Sequence, residues 1–297
     1  RSKNGEKVIE KNFDMAIFRK VQELNKEYKI KYNPSTPIPD DDDLADRLFE
    51  AGFRLYLELG SYCTDTGRVI KFTEQEIREA LEAAPSELTL GEGRDAVKMV
   101  HRDVEGEQEP IICAGIQTAL YSDREKMLKI YKGCAQDRCV DGIWGGVLSN
   151  LEGKHEIIAG TPSEIYAYRL ATEVLREAVS AAGRPGMFIV NNAPTSIATI
   201  ALHDREKGLR PCDLFESTGI SELKINYDDL NRSTWGEIYQ AALHGVHNSV
   251  IGGFSGTIEG AAMVSVAGAF QLLLVNRCNN IRPGSIPFKT KSRAVRE

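Results

Sequence analysis

The sequence predicts an α/β protein built on a TIM (β/α)8-type barrel, preceded by an N-terminal segment that is mainly helical. Two observations carry this prediction. From about residue 110 onward, short apolar runs alternate with longer helical patterns, which is typical of βα units around a parallel sheet. The first hundred residues show mainly helical spacing. We therefore expect a helical segment with a β hairpin at 1–105, packed on a barrel at 106–297.

Local signals predict the elements of the N-terminal segment. Residues 13–24 repeat apolar side chains at helical spacing, and the four aspartates at 40–43 suit the positive end of a helix that starts near Leu44. Thr73 and Glu76 form a T-x-x-E capping box for a helix at 74–84. Residues 87–102 alternate around Gly91–Gly93 and predict a β hairpin.

About six short apolar runs are the candidate barrel strands, and a closed barrel needs eight. The barrel is therefore expected to be incomplete in this chain, or open. A helix at 161–182 begins with a Thr161 cap, a proline and the capping-box acid Glu164, whereas a helix at 257–276 is almost wholly apolar. The segment 221–245 suits either a strand or a helix. The candidate strands are 111–115, 140–148, 187–190, 212–215, 248–253 and 280–286.

Composition excludes several classes of function. The 297 residues, 42% of them hydrophobic, can bury a full core. A net charge of −6 argues against a nucleic acid or an anionic membrane as partner, because both require a basic surface. Six cysteines without a C-x-x-C pair predict reduced thiols in a cytoplasmic protein. No run is interpreted as long enough to span a bilayer, and P-loop, G-x-G-x-x-G and H-E-x-x-H motifs are absent from the sequence.

Polar side chains follow the third and fourth candidate strands. The run at 187–190 ends in Asn191 and Asn192, and the run at 212–215 ends in Glu216. A parallel barrel builds its site from the carboxyl ends of its strands, so we expect the two amides to point into a cavity shared with Glu216. A plain turn at Asn-Asn-Ala-Pro and a surface acid at Glu216 remain the alternatives.

Four stretches of the sequence carry a family resemblance. They are 51–77, which contains YCTDTGR; LGEGRDAV at 90–97; AGRPGM at 182–187 with the following PTS; and ELKI at 222–225 with GGFSGTIE at 252–259. Together they resemble the monomethylamine methyltransferases of methanogens, corrinoid-dependent enzymes that carry pyrrolysine. The resemblance implies a TIM-barrel enzyme that demethylates a methylated amine and passes the methyl group to a separate corrinoid protein. It also implies a carboxylate at the end of the fourth strand, which Glu216 matches.

The chain departs from this family at two places in the expected site. The family's pyrrolysine follows the GRPGM turn, where this chain has Asn191, or Val190 if a gap falls differently. A second family carboxylate matches a place near Val246, between His244 and His247. We therefore expect methyl transfer without pyrrolysine, from a quaternary or otherwise pre-activated amine. Such a donor leaves as a neutral amine and requires only electrostatic holding and alignment.

These arguments predict a set of site residues. Aromatic faces suit a methylammonium group through cation–π contact, although core packing explains such residues equally well. His244 and His247 are three residues apart and would bind a metal only if both faced one cavity; the alternative is a helix end that enters the fifth strand. The predicted catalytic residues are Glu216 and Asn191, and the predicted substrate-binding residues are Asn192, Trp144, Phe254 and His247.

The expected partners follow from the resemblance and from one missing motif. No D-x-H-x-x-G corrinoid signature occurs in the sequence, so a partner protein must supply the cobalamin and no cofactor is expected on this chain. We also expect a homo-oligomer. A catalytically silent homologue that only docks the corrinoid partner is the main alternative, and an unrelated barrel chemistry such as a lyase is a third.

Overall fold

The computed structural model describes residues 1–100, 106–116, 120–151, 155–219, 222–248 and 255–276. Its helices are α1 (Glu10–Glu27), α2 (Asp42–Leu59), α3 (Glu74–Ala83), α4 (Arg124–Gln136), α5 (Pro162–Ala181), α6 (Ser196–Leu202), α7 (Tyr227–Tyr239) and α8 (Ile258–Val275). Its strands are β1 (Ser61–Cys63), β2 (Arg68–Ile70), β3 (Glu87–Leu90), β4 (Val97–Val100), β5 (Cys113–Ala114), β6 (Leu120–Tyr121), β7 (Gly142–Trp144), β8 (Val147–Leu148), β9 (Asn150–Leu151), β10 (His155–Glu156), β11 (Phe188–Asn191), β12 (Leu214–Gly219), β13 (Lys224–Ile225) and β14 (Leu243–Asn248).

Within the described residues, five strands form the central parallel sheet. Strands β5, β7, β11, β12 and β14 lie side by side in the order of the chain, and each neighbouring pair is parallel. Each of these strands is followed by a helix. The helices are α4, α5, α6, α7 and α8, in the order of the chain. Parallel strands wound in sequence with helices between them are the arrangement of a TIM-type barrel, which confirms the predicted fold class.

The predicted barrel strands agree with the observed ones at the start of the sheet and differ toward its end. The first four candidate strands are present, and β12 continues through Glu216 instead of ending before it. The fifth strand begins at Leu243, five residues earlier than predicted, because LHGVHN mixes apolar and polar residues and hides the strand pattern. His244 and His247 therefore belong to the strand and not to a helix end. The candidate strand at 280–286 lies outside the described residues.

The segment with two interpretations contains both a strand and a helix. β13 pairs in parallel with β1, which also forms an antiparallel hairpin with β2. α7 follows at once, and Asn226 and Asp229 form its capping box.

The N-terminal helices pack against the last described helix of the barrel. α1, α2 and α3 share one apolar cluster with α8, in which Ile17, Leu55 and Phe270 are fully buried. By length and composition α8 could cross a membrane, which the sequence analysis missed, but 61% of its span is buried inside the protein. It is the central helix of this cluster. The predicted boundary between the two segments, after residue 105, adjoins a stretch outside the described residues.

The predicted hairpin is present and covers the inner face of the parallel sheet at its amino end. Leu88 and Leu90 of β3 belong to one apolar cluster with side chains of β11, β12 and β14. The turn after β3 is bound to the chain just before two barrel strands: Gly91 N donates to Cys212 O, and Glu92 N donates to Gly186 O. The hairpin therefore closes the inner side of the sheet where the strands begin.

Helix starts follow the predicted local signals with one exception. The Asp41 side chain accepts a hydrogen bond from Leu44 N, so α2 begins slightly before its predicted start. Both hydrogen bonds of the Thr73–Glu76 capping box are present. Thr161, by contrast, makes no side-chain capping bond at the start of α5. The expected capping box there is wrong, because Glu164 has other partners.

Candidate functional site

Side chains of the parallel sheet alternate between an inner and an outer face. Phe188, Val190 and Leu214 point inward and meet the hairpin in one cluster. Ile189 and Phe215, the intervening residues, pack outward among the helices. This alternation decides which predicted site residues can meet.

Glu216 lies on the inner face, toward the carboxyl end of the sheet. It is two residues beyond the inward-facing Leu214 and one residue past the level at which β11 ends. Only 7% of its surface is exposed. Burial, the charge of Asp141 and the charge of Glu216 raise the pKa of Cys113 to about 12. The carboxyl group is therefore within electrostatic range of a thiol on the far side of the inner face.

Trp144 lies at the end of β7 and packs on the inner cluster. It is in register with Val190, which is in turn in register with Leu214. Its indole Nε1 is buried and has no hydrogen-bond acceptor within the described parts of the chain. The structure therefore brings Trp144 and Glu216 to the same face of the sheet.

Asn191 lies on the opposite face. A Cβ added to Gly145 would stand 2.9 Å from Asn191 Cγ and 2.6 Å from Leu175 Cδ1, so the amide packs between the sheet and α5. The expectation that Asn191 shares a cavity with Glu216 is therefore wrong. The physical reason is the alternation of the strand: Val190 points inward, so Asn191 must point outward.

The structure gives fewer contacts for the other three predicted site residues. Asn192 is half-buried, and its backbone N–H donates to Asn191 Oδ1 at 2.9 Å. His247 is in register with Thr218 of β12, and only its backbone is described. Phe254 lies outside the described residues.

The loop after β11 is held by residues that the sequence analysis did not assign to it. Glu164 is 2% exposed, and its Oε2 accepts hydrogen bonds from Gly160 N at 2.7 Å and Thr195 Oγ1 at 2.8 Å. Asp228 Oδ1 accepts from Ser196 N at 2.9 Å. The starts of α5 and α7 thus hold the Asn-Asn-Ala-Pro loop at the carboxyl end of the sheet. A buried acid in the first turn of an apolar helix was the available signal.

Two of the family-like motifs lie at the other end of the sheet. In LGEGRDAV, Asp95 is buried and accepts from Arg184 Nε at 3.3 Å and from Gly186 N at 3.1 Å. Arg184 and Gly186 belong to AGRPGM. A Cβ on Gly186 would stand 2.1 Å from Glu92 O, so only glycine permits this approach. These motifs join the hairpin to the amino end of the sheet.

A second buried carboxylate completes this amino-end joint. Asp213 is fully buried and forms ion pairs with Arg176 at 2.9 Å and Arg210 at 3.0 Å. Its Oδ1 also accepts from Ile189 N at 3.0 Å. Arg210 in turn donates to Met187 O at 2.9 Å and to Glu92 Oε1 at 2.6 Å.

The described residues contain no group of three His, Cys, Asp or Glu side chains that could hold a metal ion. Among the described side chains, the inner face instead carries the carboxylate of Glu216, the indole N–H of Trp144 and apolar surface. This combination can attract a cation and donate one hydrogen bond.

The chain is similar to one protein family over its whole given length. The family described as "Monomethylamine methyltransferase MtmB" matches residues 1–297. Monomethylamine methyltransferase MtmB of Methanosarcina mazei is 32% identical over 299 residues, and MtmB2 of Methanosarcina acetivorans is 31% identical over 300 residues. Each alignment covers 100% of this chain and 65% of the relative. The chain thus spans 65% of the length of these relatives.

Solved structures agree with the fold. The crystal structure of the Methanosarcina barkeri monomethylamine methyltransferase (MtmB) superposes with a TM-score of 0.84 at 31% identity. A crystal structure of a hydroxylamine MtmB complex superposes with the same score and identity. Each superposition covers 92% of this chain and 60% of the other.

Proposed function

The chain belongs to the monomethylamine methyltransferase MtmB family, and on this premise we propose that it transfers a methyl group from a small methylated amine to a separate corrinoid protein, without pyrrolysine. The reaction takes place at the inner face of the sheet, toward its carboxyl end. The protein works in the cytoplasm as a homo-oligomer, and the corrinoid belongs to its partner.

The observation that carries the proposal is the position of Glu216. This carboxylate is 7% exposed and lies on the sheet face that carries the apolar inner cluster, where its attraction for a cation is much stronger than in water. Its partner in register on β14 is Gly245. A methylated ammonium is a cation with an apolar surface, so it suits both features.

The chemistry requires little of this chain beyond binding and alignment. In the transfer, the bond between the methyl carbon and nitrogen breaks, and nitrogen keeps the electron pair and leaves as a neutral amine. The electron pair of the new bond to carbon would come from a reduced corrinoid held by the partner protein. Glu216 holds the ammonium, and the apolar inner face excludes water from it.

The residues at the place of pyrrolysine favour a pre-activated donor. Val190 faces inward with an apolar side chain, and Asn191 packs outward against α5. Neither side chain supplies a reactive group to the inner face. A quaternary ammonium needs no such group, because its leaving amine is already neutral.

An assay of methyl transfer to a reduced corrinoid protein, with mono-, di-, tri- and tetramethylated ammonium donors, tests the proposal. We expect transfer from the quaternary donor. Glu216→Gln should lower the rate by about a hundredfold, because it removes the charge that holds the cation. Glu92→Gln is the matched control, since Glu92 is 62% exposed at the other end of the sheet. Transfer from monomethylamine alone, or a fully active Glu216→Gln, would contradict the proposal.

One observation favours a second candidate function. Strand β14, with the sequence LHGVHN, carries no carboxylate next to Glu216, although the resemblance implies a second acid there. A silent homologue would bind the corrinoid protein without transferring methyl groups from any donor. Co-sedimentation of the two proteins, combined with the same assay, separates the two candidates.

A further inference from the structure

Trp144 carries a buried hydrogen-bond donor that the fold does not use. Its indole Nε1 is shielded from solvent and meets no acceptor among the described residues. The indole N–H can only donate, and buried donors of this kind are nearly always paired in folded proteins. Leaving it unpaired is unfavourable, so an acceptor from outside the described chain is expected there.

The side chains around Trp144 indicate on which face of the sheet that acceptor lies. The cluster beneath the indole consists of apolar side chains, including Phe188, Val190 and Leu214. These offer no oxygen or nitrogen acceptor. Asn191 Nδ2 and the ring nitrogens of His203 are also buried without a partner in the described part of the chain, but they lie on the helix side of the sheet. Trp144 differs from them because it packs on the face that carries Glu216.

The donor and the carboxylate flank one region of the inner face. Trp144 ends β7 at the level of Leu214, and Glu216 is the next inward-facing residue along β12. Cys113 lies on the neighbouring strand β5, and its raised pKa keeps the thiol uncharged. A ligand here meets one anion and one hydrogen-bond donor, separated by apolar surface.

We propose that Trp144 Nε1–H donates a hydrogen bond to an oxygen atom of the ligand that Glu216 holds. The ligand is therefore a methylated ammonium that also carries a hydrogen-bond-accepting oxygen a few bonds from its nitrogen. This inference rests on the proposed function and narrows its substrate class. A simple methylammonium satisfies Glu216 but leaves the indole donor without a partner.

A matched pair of cations tests the inference. Choline and propyltrimethylammonium have the same charge and nearly the same size, and they differ in one hydroxyl group. Calorimetric titration of the full chain should show choline binding about tenfold more tightly, because choline alone gives the indole an acceptor. Trp144→Phe keeps an aromatic face and removes the N–H. It should lower the affinity for choline about tenfold and that for propyltrimethylammonium by less than threefold.

A spectroscopic measurement reports the bond directly. The sequence has two tryptophans, Trp144 and Trp235, so a ¹⁵N-labelled protein shows two indole N–H signals. Trp235→Phe assigns the Trp144 signal. That signal should move downfield with choline and should not do so with propyltrimethylammonium.

The outcomes separate the two proposals. Equal affinity for both cations, with an unmoved Trp144 signal, would overturn the inference and leave the methyltransferase proposal standing. An unchanged preference for choline in Trp144→Phe would also overturn it, because another group would then read the hydroxyl. Failure of the wild-type protein to bind either cation would overturn both proposals.

Discussion

The two ends of the parallel sheet differ in whether their buried polar groups have hydrogen-bond partners. At the amino end, both oxygens of Asp95 and of Asp213 accept hydrogen bonds from arginines or backbone N–H groups. Toward the carboxyl end, the indole donor of Trp144 has no acceptor within the described residues. A network of paired groups holds the fold, whereas a buried donor without an acceptor, on the same face of the sheet as a carboxylate, is a feature that suits a ligand.

The sequence motifs that identify the family also lie away from the end of the sheet where catalysis is expected. The motifs LGEGRDAV and AGRPGM are among those that identify the family, yet they join the hairpin to the amino end of the sheet. Residues at this end of a barrel serve stability, and those at the carboxyl ends of the strands serve catalysis. A motif can therefore be specific for a family without touching the substrate.

The largest effect on stability is expected at Asp213. Asp213→Ala leaves Arg176 and Arg210 without their buried partner and Ile189 N without an acceptor. The free energy of unfolding should fall by about 3 kcal/mol. Urea denaturation measures this loss.

Glu92→Ala is the control for Asp213, because both carboxylates pair with Arg210. Glu92 is largely exposed, so its loss should change stability by less than about 1 kcal/mol. If Asp213→Ala and Glu92→Ala lost equal free energy of unfolding, burial would not distinguish the two ion pairs of Arg210. The buried network at the amino end of the sheet would then not be what stabilises the fold.

His203 is a buried group on the helix side of the sheet whose ring nitrogens also have no hydrogen-bond partner among the described residues. It packs edge-on against Phe215, and burial lowers its pKa to about 4. The unfolded chain, with an ordinary histidine pKa near 6.5, takes up the proton first. The free energy of unfolding therefore keeps its full value above about pH 6.5, and it decreases as the pH drops from there toward 4. The loss at pH 5 should be about 2 kcal/mol.

His203→Leu supplies the comparison for this loss. Other acidic groups titrate in both proteins, so the difference between the variant and the wild-type protein isolates the histidine. Denaturation midpoints at pH 7.5 and pH 5 should move closer together in the variant. Equal pH dependence in both would mean that the ring is not buried as a neutral group.

The smallest effect is expected at Asn191. Its amide packs against α5 and not on the inner face, so Asn191→Ala should change the rate of methyl transfer less than fivefold. The same assay that follows Glu216→Gln measures it. A loss as large as that of Glu216→Gln would show that the amide reaches the substrate after all.

What could be predicted from the sequence depends on the range of the interaction. The Thr73–Glu76 capping box involves residues three apart and was predicted correctly. The inward direction of Val190 and the outward direction of Asn191 follow from strand alternation, so this error was avoidable. The ion pairs of Asp95 and Asp213 join residues far apart in the chain. No local pattern indicates such partners, and the sequence does not reveal that Glu164 reaches Thr195.

The hairpin at the base of the sheet has a consequence for how the chain comes together. Its apolar side is synthesised well before the strands that it covers, so Leu88 and Leu90 stay exposed on that side until the ribosome has produced β11 and β12. Conversely, a polypeptide begun after the hairpin would leave Phe188, Val190 and Leu214 facing water. Neither portion is expected to remain soluble on its own.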